Sequence, residues 1–539
     1  MKILIIGGVA GGATAAARLR RLHEDWQIVM FERGDYVSFA NCGLPYYVGG
    51  VIEEEDDLLL QTPESFYSRF HIDVRVRNEV TAIDTAAKRV TVKNLLTGEA
   101  YQETYDKLLL SPGSRPIAPF QGENVFTVTT VNDAARIKAF CSAGVRRAVV
   151  IGGGFIGLEM AENLHAMGIA VSVVEKADHV MPNLDGEMAH IIHKHMRGMG
   201  MEILTGTGVK AVEGNEVTLE DGRVLEAEAV ICAIGVRPEA QLAKESGIRC
   251  SERGAIEVNA QMRTSAPDVF AVGDAVEIVN RVTGQAARIP LAGPANKQAR
   301  LAADVMAGLG GAYPGSVGVS ILKLGELTAA SVGASESVLK VLGLPYTKSY
   351  THSFPHATYY PGGRQMTIKL LFRPDGGAVW GAQIVGYEGV DKRIDTISVA
   401  IQAGLSVETL SNLELAYAPP YSSAKDPVNM AGYVADNIAK GLHQVFYVSD
   451  IPSLDPEKDL LVDIRTPSEF DQGTIPGAVN LPLDDIRARF TELPKDKNLY
   501  IFCRIGLRGY LGYRQLVQLG FEHVRNLSGG YLSYLEVKD

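Results

Sequence analysis

The chain has 539 residues, is 46% apolar and 21% charged, and carries a formal net charge of −11, a make-up that suits a folded protein too long for one core. At about 150 residues per domain it holds three or four. The acidic balance excludes a phosphate backbone as a natural partner, and the lack of any apolar run of about 18 residues leaves no predicted membrane span. Five scattered cysteines, at 42, 141, 232, 250 and 503, with no C-x-x-C, fit a reducing, cytoplasmic setting with no metal rather than a disulfide framework or a zinc ribbon.

The N-terminal MKILIIGGVAGGATAAARLR imitates a secretory leader in Lys2, its apolar run and its alanines. However, Arg18, Arg20 and Arg21 continue a helical pattern and QIVMFER supplies a second strand, so a β-loop-α-β unit is predicted. Gly7 and Gly12 fit the ends of a dinucleotide-binding G-x-G-x-x-G turn while Val9 occupies its middle. Gly8 and Gly11 compensate, and Glu32, with Arg33 beside it, closes the second strand. Next comes VSFANCGLPYYVGG, which sets a lone Cys42 among Ser38, Asn41 and a Gly-Leu-Pro turn. VRVRNEVTAIDTAAKRVTV then reads as a small antiparallel piece.

The second unit, RAVVIGGGFIGLEMAENLHAMGIAVSVVEKA, has the full motif in Gly152, Gly154 and Gly157. Its glycines let backbone N–H groups approach a pyrophosphate, and the helix N-terminus favours the charge. Glu175 can accept from a ribose 2′-OH and would repel a 2′-phosphate, which favours NADH. Nearby Lys176 and His179 keep NADPH open. In TSAPDVFAVGDAVE a strand ends at Gly273-Asp274, a placement suited to an aspartate that binds a flavin's ribityl chain. Residues from about 325 to 440 lack a phosphate turn and read as α+β. AKGLHQVFYVSDIPSLDPEKDL reads as a linker, and the rest as a small α/β domain.

Together the two glycine turns, LLLSPGSRP (with Gly113), VICAIGVRPE and AVGDA resemble the two-dinucleotide-domain flavoprotein disulfide reductases over residues 1 to about 445. The resemblance implies an α/β fold with two Rossmann-like dinucleotide-binding domains, an α+β dimerisation domain and bound FAD. The expected boundaries are 1–112 with 246–324 for FAD, 113–245 for NAD(P)H and 325–442 for the interface. A linker at 443–456 and a C-terminal domain at 457–539 follow.

Dithiol members of that family carry a second cysteine near the first; here none neighbours Cys42. A single thiol beside a flavin can cycle through a sulfenic acid or through a mixed disulfide with a thiol substrate. SFANCGLPYY resembles the active-site segment of coenzyme A-disulfide reductases, including the Ser-Phe-x-x-Cys core. The CoA phosphates would need cations, and Arg18 or Arg21 can face a nucleotide, with Thr14 a turn earlier. At least one of the three arginines 18, 20 and 21 is expected on a plain solvated face. The resemblance further implies substrate contacts from Ser38, Asn41 and Asn296, and roles near the sulfur for Tyr359, Tyr417 and Lys425 of a second copy, hence a homodimer with a shared active site. Tyr360 and Tyr421 are candidates for core aromatics.

YIFCRIGLRGY puts Cys503 at a strand end before a C-x-x-x-x-R loop, where backbone N–H groups, Gly506, Arg504 and Arg508 can favour a thiolate or persulfide. With LLVDIRTPSEFDQGTIPGAVNLPL upstream, it resembles a rhodanese domain, with Asp463 and Arg465 in a structural segment. In that family six-residue loops go with sulfur transfer. The expected enzyme is an NAD(P)H-dependent flavoprotein that reduces CoA disulfide, or CoA persulfide or polysulfide, with Cys503 carrying sulfane sulfur. Rival readings are an NADH oxidase or peroxidase using a Cys42 sulfenic acid, and a non-catalytic redox sensor or sulfur-carrier module. Cys141, Cys232 and Cys250 are expected to be structural.

Overall fold

Apolar strands that run straight into glycine turns, with no alternation along them, predict sheets buried on both faces. The computed structural model describes residues 1–538 and divides into two units, Met1–Val180 with Gly200–Ser316, and Met181–Met199 with Val317 onward.

In the first unit Lys2–Ile6 is the middle strand of a five-stranded parallel sheet. The order is Val269–Ala271, Lys107–Leu110, Lys2–Ile6, Gln27–Phe31, Asp73–Arg75. Ile3 and Ile5 pack on one face with Ala13, Ala16, Ala299 and Ala302 of the helices Ala10–Leu22 and Ala292–Met306. Leu4 and Ile6 pack on the other with Val90 and Val92. Each such buried aliphatic residue contributes about 1.5–3 kcal/mol. A second parallel sheet runs Glu202–Leu204, Ala170–Val174, Arg147–Ile151, Ala229–Cys232, Val125–Phe126. The predicted antiparallel piece is Asn78–Asp84 paired with Arg89–Asn94 and Ala100–Thr104. The segments LLLSPGSRP and VICAIGVRPE meet, with Ser114–Pro116 antiparallel to Val236–Pro238.

The second unit holds a five-stranded antiparallel sheet, ordered Ser320–Leu324, Leu327–Gly333, Val379–Gly386, Met366–Phe372, Thr347–Ser353. It also holds a parallel sheet in its C-terminal part, ordered Val445–Phe446, Val524–Leu527, Asn498–Phe502, Asp459–Asp463, Val479–Asn480.

Three boundaries differ from expectation. The helix Gly186–Met199, expected in the nicotinamide domain, belongs to the second unit: Asp185 accepts from Gln383 Nε2 at 2.6 Å and pairs with the fully buried Lys369 at 2.8 Å. Residues 317–324 begin the interface sheet instead of ending the flavin domain. The expected linker 443–456 is built into the fold, because Val445–Phe446 is an edge strand and the Tyr447 hydroxyl donates to Lys348 O at 2.8 Å. The C-terminal helix Gly530–Val537 also joins this C-terminal part to the antiparallel sheet, through Ser533 Oγ and His352 Nε2, 2.9 Å apart. Burial pulls the His352 imidazole down to about 4.

Candidate active site

Both glycine turns close in the same way. Gly7 and Gly152 have φ of +94° and +105°, in the left-handed region, and a Cβ on Gly12 or Gly157 would collide with the carbonyl oxygen of Gly7 or Gly152 respectively. The acidic residue at the end of each second strand ties the turn. Glu32 accepts from Gly8 N at 2.9 Å and Gly34 N at 2.7 Å, and Glu175 accepts from Gly153 N at 2.7 Å and Ala177 N at 2.8 Å. Each carboxylate keeps lone pairs for a ribose hydroxyl. Lys176 is paired with Glu220 at 2.8 Å, and the His179 ring with Val180 O. Arg33 is exposed and makes a 3.5 Å contact with Glu239. Gly154 and Gly113 leave open space where a Cβ would stand, and Gly113 has a φ of +72°.

The segment before Cys42 is pinned from two sides. Ser38 N donates to Gly8 O at 2.8 Å, Ala40 N to Leu58 O at 2.8 Å, and Ser38 itself is held at a φ of +47°, a strained backbone for a non-glycine residue. Cys42 then sits in the 3₁₀ turn Asn41–Gly43, ahead of the short helix Leu44–Val48, and both Asn41 and Cys42 are exposed. Although solvent reaches it, the protein around Cys42 raises its thiol pKa, with the nearby Glu159 and Asp274 charges adding to the effect. Glu159, on the helix Phe155–Ala166, is itself lifted to about 7 by burial and by Glu162, against an opposing hydrogen bond with Tyr46. Burial, then the charges of Glu159 and Glu162, raise Tyr46 to about 12. Asp274 is raised by burial and steadied by the Ser114 hydroxyl at 3.1 Å, while Gln298, fully buried, accepts from Gly273 N at 2.8 Å.

On the surface of the same unit the helices Ala10–Leu22 and Ala292–Met306 bring Thr14 Oγ1 within 2.5 Å of Asn296 Oδ1, and Arg18 Nε within 2.7 Å of Asp304 Oδ1. Arg300 stands between Asn296 and Asp304 on that helix, exposed like Lys297. Arg18 is therefore committed to a carboxylate. Arg20 is the structural arginine, buried on the carbonyls of Phe70, His71, His23 and Glu24, and Arg21 is the exposed one.

In the second unit the Tyr359 and Tyr417 hydroxyls are 3.0 Å apart. Arg393, fully buried, holds both loops that carry them: it donates to Pro355 O at 2.7 Å and Tyr421 O at 3.4 Å, and pairs with Asp426 at 3.0 Å. Burial alone would raise Asp426, but Ser422, the Val428 N–H and Arg393 hold it below the usual carboxylate range. Lys425 is exposed. Tyr360 and Tyr421 are exposed too, so the core-aromatic expectation for them is corrected: both lie on irregular loops that bury their backbone anchors instead of their rings.

In the C-terminal part Cys503 is fully buried at the end of Asn498–Phe502, and its Sγ accepts from Gly506 N at 3.1 Å. The Cys503 and Arg504 carbonyls accept from Tyr531 N and Leu532 N, at the start of the helix Gly530–Val537. Arg504 is exposed, and Arg508 is paired with Glu469.

The family profile "Pyridine nucleotide-disulphide oxidoreductase" matches residues 1–299, its dimerisation-domain profile residues 319–427 and the rhodanese-like profile residues 452–536. The chain belongs to the pyridine nucleotide-disulphide oxidoreductase family. It is an oxidoreductase with a C-terminal rhodanese domain. Among family members, a coenzyme A disulfide reductase of Staphylococcus aureus (strain JH9) is 36% identical over 437 residues, 80% of this chain and 99% of that one. The structure of reduced Bacillus anthracis CoADR-RHD superposes with a TM-score of 0.98 at 47% identity, covering 99% of this chain and 98% of that one. A NAD-dependent persulfide reductase from A. fulgidus gives 0.93 at 37%, covering 99% and 100%. A water-forming NADH oxidase from Lactobacillus brevis gives 0.79 at 27%, covering 82% and 100%.

Membership of this oxidoreductase family implies FAD and NAD(P)H, and the two glycine cradles with Glu32, Glu175 and the half-buried Asp274 fit them. Sequence reasoning passed over Ser114, Gln298, Tyr46, Glu159 and Arg300. Glu159, two residues after Gly157, carried a usable signal: a carboxylate in the first turns of a helix beside a nucleotide turn. No described helix is long and apolar enough to cross a membrane.

Proposed function

We propose that the protein is a homodimeric, NADH-preferring flavoenzyme that reduces CoA disulfide and CoA persulfide through Cys42 alone. The observation that carries this reading is that Cys42 is the exposed cysteine among the five, with no second thiol in its loop, so its disulfide partner comes from outside the chain. The S. aureus and A. fulgidus relatives named above support the substrate class.

Gly7, Gly8, Gly11, Gly12, Glu32, Arg33, Asn41, Gly113, Gly273 and Asp274 would hold FAD. Gly152, Gly154, Gly157 and Glu175 would hold the nicotinamide nucleotide. FAD so held would, with the nicotinamide nucleotide as reductant, supply the electron pair needed to reopen the mixed disulfide. The Cys42 thiolate attacks a sulfur of CoA–S–S–CoA; that S–S bond breaks, a CoA thiolate leaves, and Cys42–S–S–CoA remains. With CoA–S–SH the attack falls on the CoA sulfur and hydrosulfide leaves. Ser38 and Asn41 line the approach. Thr14, Asn296 and Arg21 bind the nucleotide end of CoA, with Arg18 joining once it releases Asp304. Tyr359 and Tyr417 from a second copy donate the proton that the leaving thiolate takes up, and Lys425 meets the substrate. Cys503 carries sulfane sulfur in a loop shaped by Arg504, Gly506 and Arg508.

The test is anaerobic steady-state reduction of CoA disulfide, CoA persulfide, polysulfide and peroxide, side by side, in the parent protein and Cys42→Ser. CoA disulfide and persulfide should turn over and the variant should be inactive on both. A wide kcat/KM margin for peroxide or oxygen would instead establish the oxidase chemistry of the L. brevis relative.

A further inference from the structure

Of the three arginines Arg465, Arg504 and Arg508 of the rhodanese domain, two are already neutralised, and Arg508 lies near enough to the buried Cys503 to feel its charge. Arg465 is buried against Asp463, with Nη2 to Oδ2 at 2.6 Å. Arg508 meets Glu469 fork to fork, Nη1 to Oε2 at 2.7 Å and Nη2 to Oε1 at 2.6 Å, a strong geometry for a charge pair. Glu469 is fixed a second time as the third-residue partner of the N-cap Thr466 in the helix Pro467–Asp471, where its Oε2 accepts from Thr466 N and Thr466 Oγ1, each at 3.1 Å. The Arg508 hydrogen bonds come first among the influences that hold the Glu469 carboxyl near 2, so it is anionic at any working pH. Arg504, exposed and without an ion pair among the described residues, and the loop N–H groups are the remaining electropositive elements.

We propose that Glu469 is a specificity-determining residue of this loop: by neutralising Arg508 it favours sulfane donors whose reacting end carries at most one negative charge, alkyl persulfides, over the thiosulfate dianion. The inference rests on the reading of Cys503 as a sulfur carrier. With a persulfide R–S–SH, the Cys503 thiolate attacks the outer sulfur, the S–S bond breaks, R–S⁻ leaves with the bonding pair, and Cys503–S–SH remains. With thiosulfate the same attack must expel sulfite, SO₃²⁻. Two negative charges then approach a thiolate whose flanking cation is already cancelled.

The experiment uses the full chain in a Cys42→Ser background and compares Glu469, Glu469→Gln and Thr466→Ala. Glutamine keeps the capping acceptor while releasing Arg508, whereas Thr466→Ala weakens the cap and keeps the ion pair. The readout is the rate at which the Cys503 peptide gains the mass of one sulfur from glutathione persulfide or from thiosulfate. Glu469→Gln should raise the thiosulfate-to-persulfide rate ratio about fivefold or more, the scale of losing one partly exposed charge pair. Thr466→Ala should leave the ratio unchanged. Equal changes for both donors in Glu469→Gln, or an equal shift of the ratio in Thr466→Ala, would overturn the proposal alone. If Cys503 of the parent took sulfur from neither donor, the carrier reading would fall and this proposal with it.

Discussion

The hydroxyls of Tyr359 and Tyr417 hydrogen-bond at 3.0 Å across 58 residues of sequence. The bond to Tyr417 is the first reason that Tyr359 holds its proton to higher pH than a free phenol. Removing Tyr417 lowers the Tyr359 pKa, so the basic limb of the pH profile for CoA disulfide reduction should move to lower pH in Tyr417→Phe. Tyr359→Phe should lose about a hundredfold in kcat/KM, the lower end for a general acid. Steady-state rates of both variants against pH check this; an unmoved basic limb in Tyr417→Phe would remove the pair from the mechanism.

Glu159 and Cys42 lie on different helical segments, yet the Glu159 charge follows burial as a cause of the raised thiol pKa. Because Glu159 itself ionises near 7, the repulsion operates above that pH. Glu159→Gln should therefore lower the Cys42 pKa and speed its alkylation by iodoacetamide at pH 8, with little change at pH 6. The check is the pH dependence of alkylation at Cys42, read by peptide mass; identical curves for the two proteins would count against the coupling.

Much of the nucleotide scaffold was legible because its chemistry is local. Gly152, Gly154 and Gly157 are needed by one tight turn, and Glu175 closes the adjacent strand, so spacing carries the geometry. What escaped depends on contacts far apart in the chain. Helix Gly186–Met199 looked like part of the nicotinamide domain until Asp185 and Glu187 were seen to meet Lys369, about 180 residues away. Arg18 looked like a free cation because Asp304 is 286 positions distant, and Arg393 gave no periodic sign that it ties two tyrosine loops together. Linker composition misled at 443–456, since a two-residue edge strand leaves almost no pattern.

The matched glycine turns allow the two cofactor sites to be separated. A Cβ at Gly12 would meet the Gly7 carbonyl, and one at Gly157 the Gly152 carbonyl; both are backbone groups that cannot move aside. Gly12→Ala should purify with little flavin, measured as flavin absorbance per chain. Gly157→Ala should keep its flavin but bind the nicotinamide nucleotide at least tenfold more weakly, measured by titrating the oxidised protein with NAD⁺. Loss of flavin from both variants would show that the two sites do not fail independently.

Lys369 has no exposed surface and is ringed by Asp185, Glu187 and Glu336, with Nζ to carboxylate distances of 2.8 Å to Asp185 and 2.7 Å to Glu336. Burial alone would raise Glu187 and Glu336, but Lys369 holds both below the usual range. A carboxylate depressed in the folded state contributes stability that is complete above its unfolded value of about 4.3 and fades as pH falls toward the folded value. Lys369→Met would leave three clustered carboxylates without their buried cation, which should cost about 3–5 kcal/mol at pH 7. Protonating the freed carboxylates relieves their repulsion in the variant, while the parent keeps its ion pairs down to about pH 4, so the gap between the two proteins should narrow as pH is lowered from 7 to 4. Urea unfolding of both proteins across that range measures it. A gap that stays constant would mean that Lys369 acts through packing of its aliphatic chain and not through its charge.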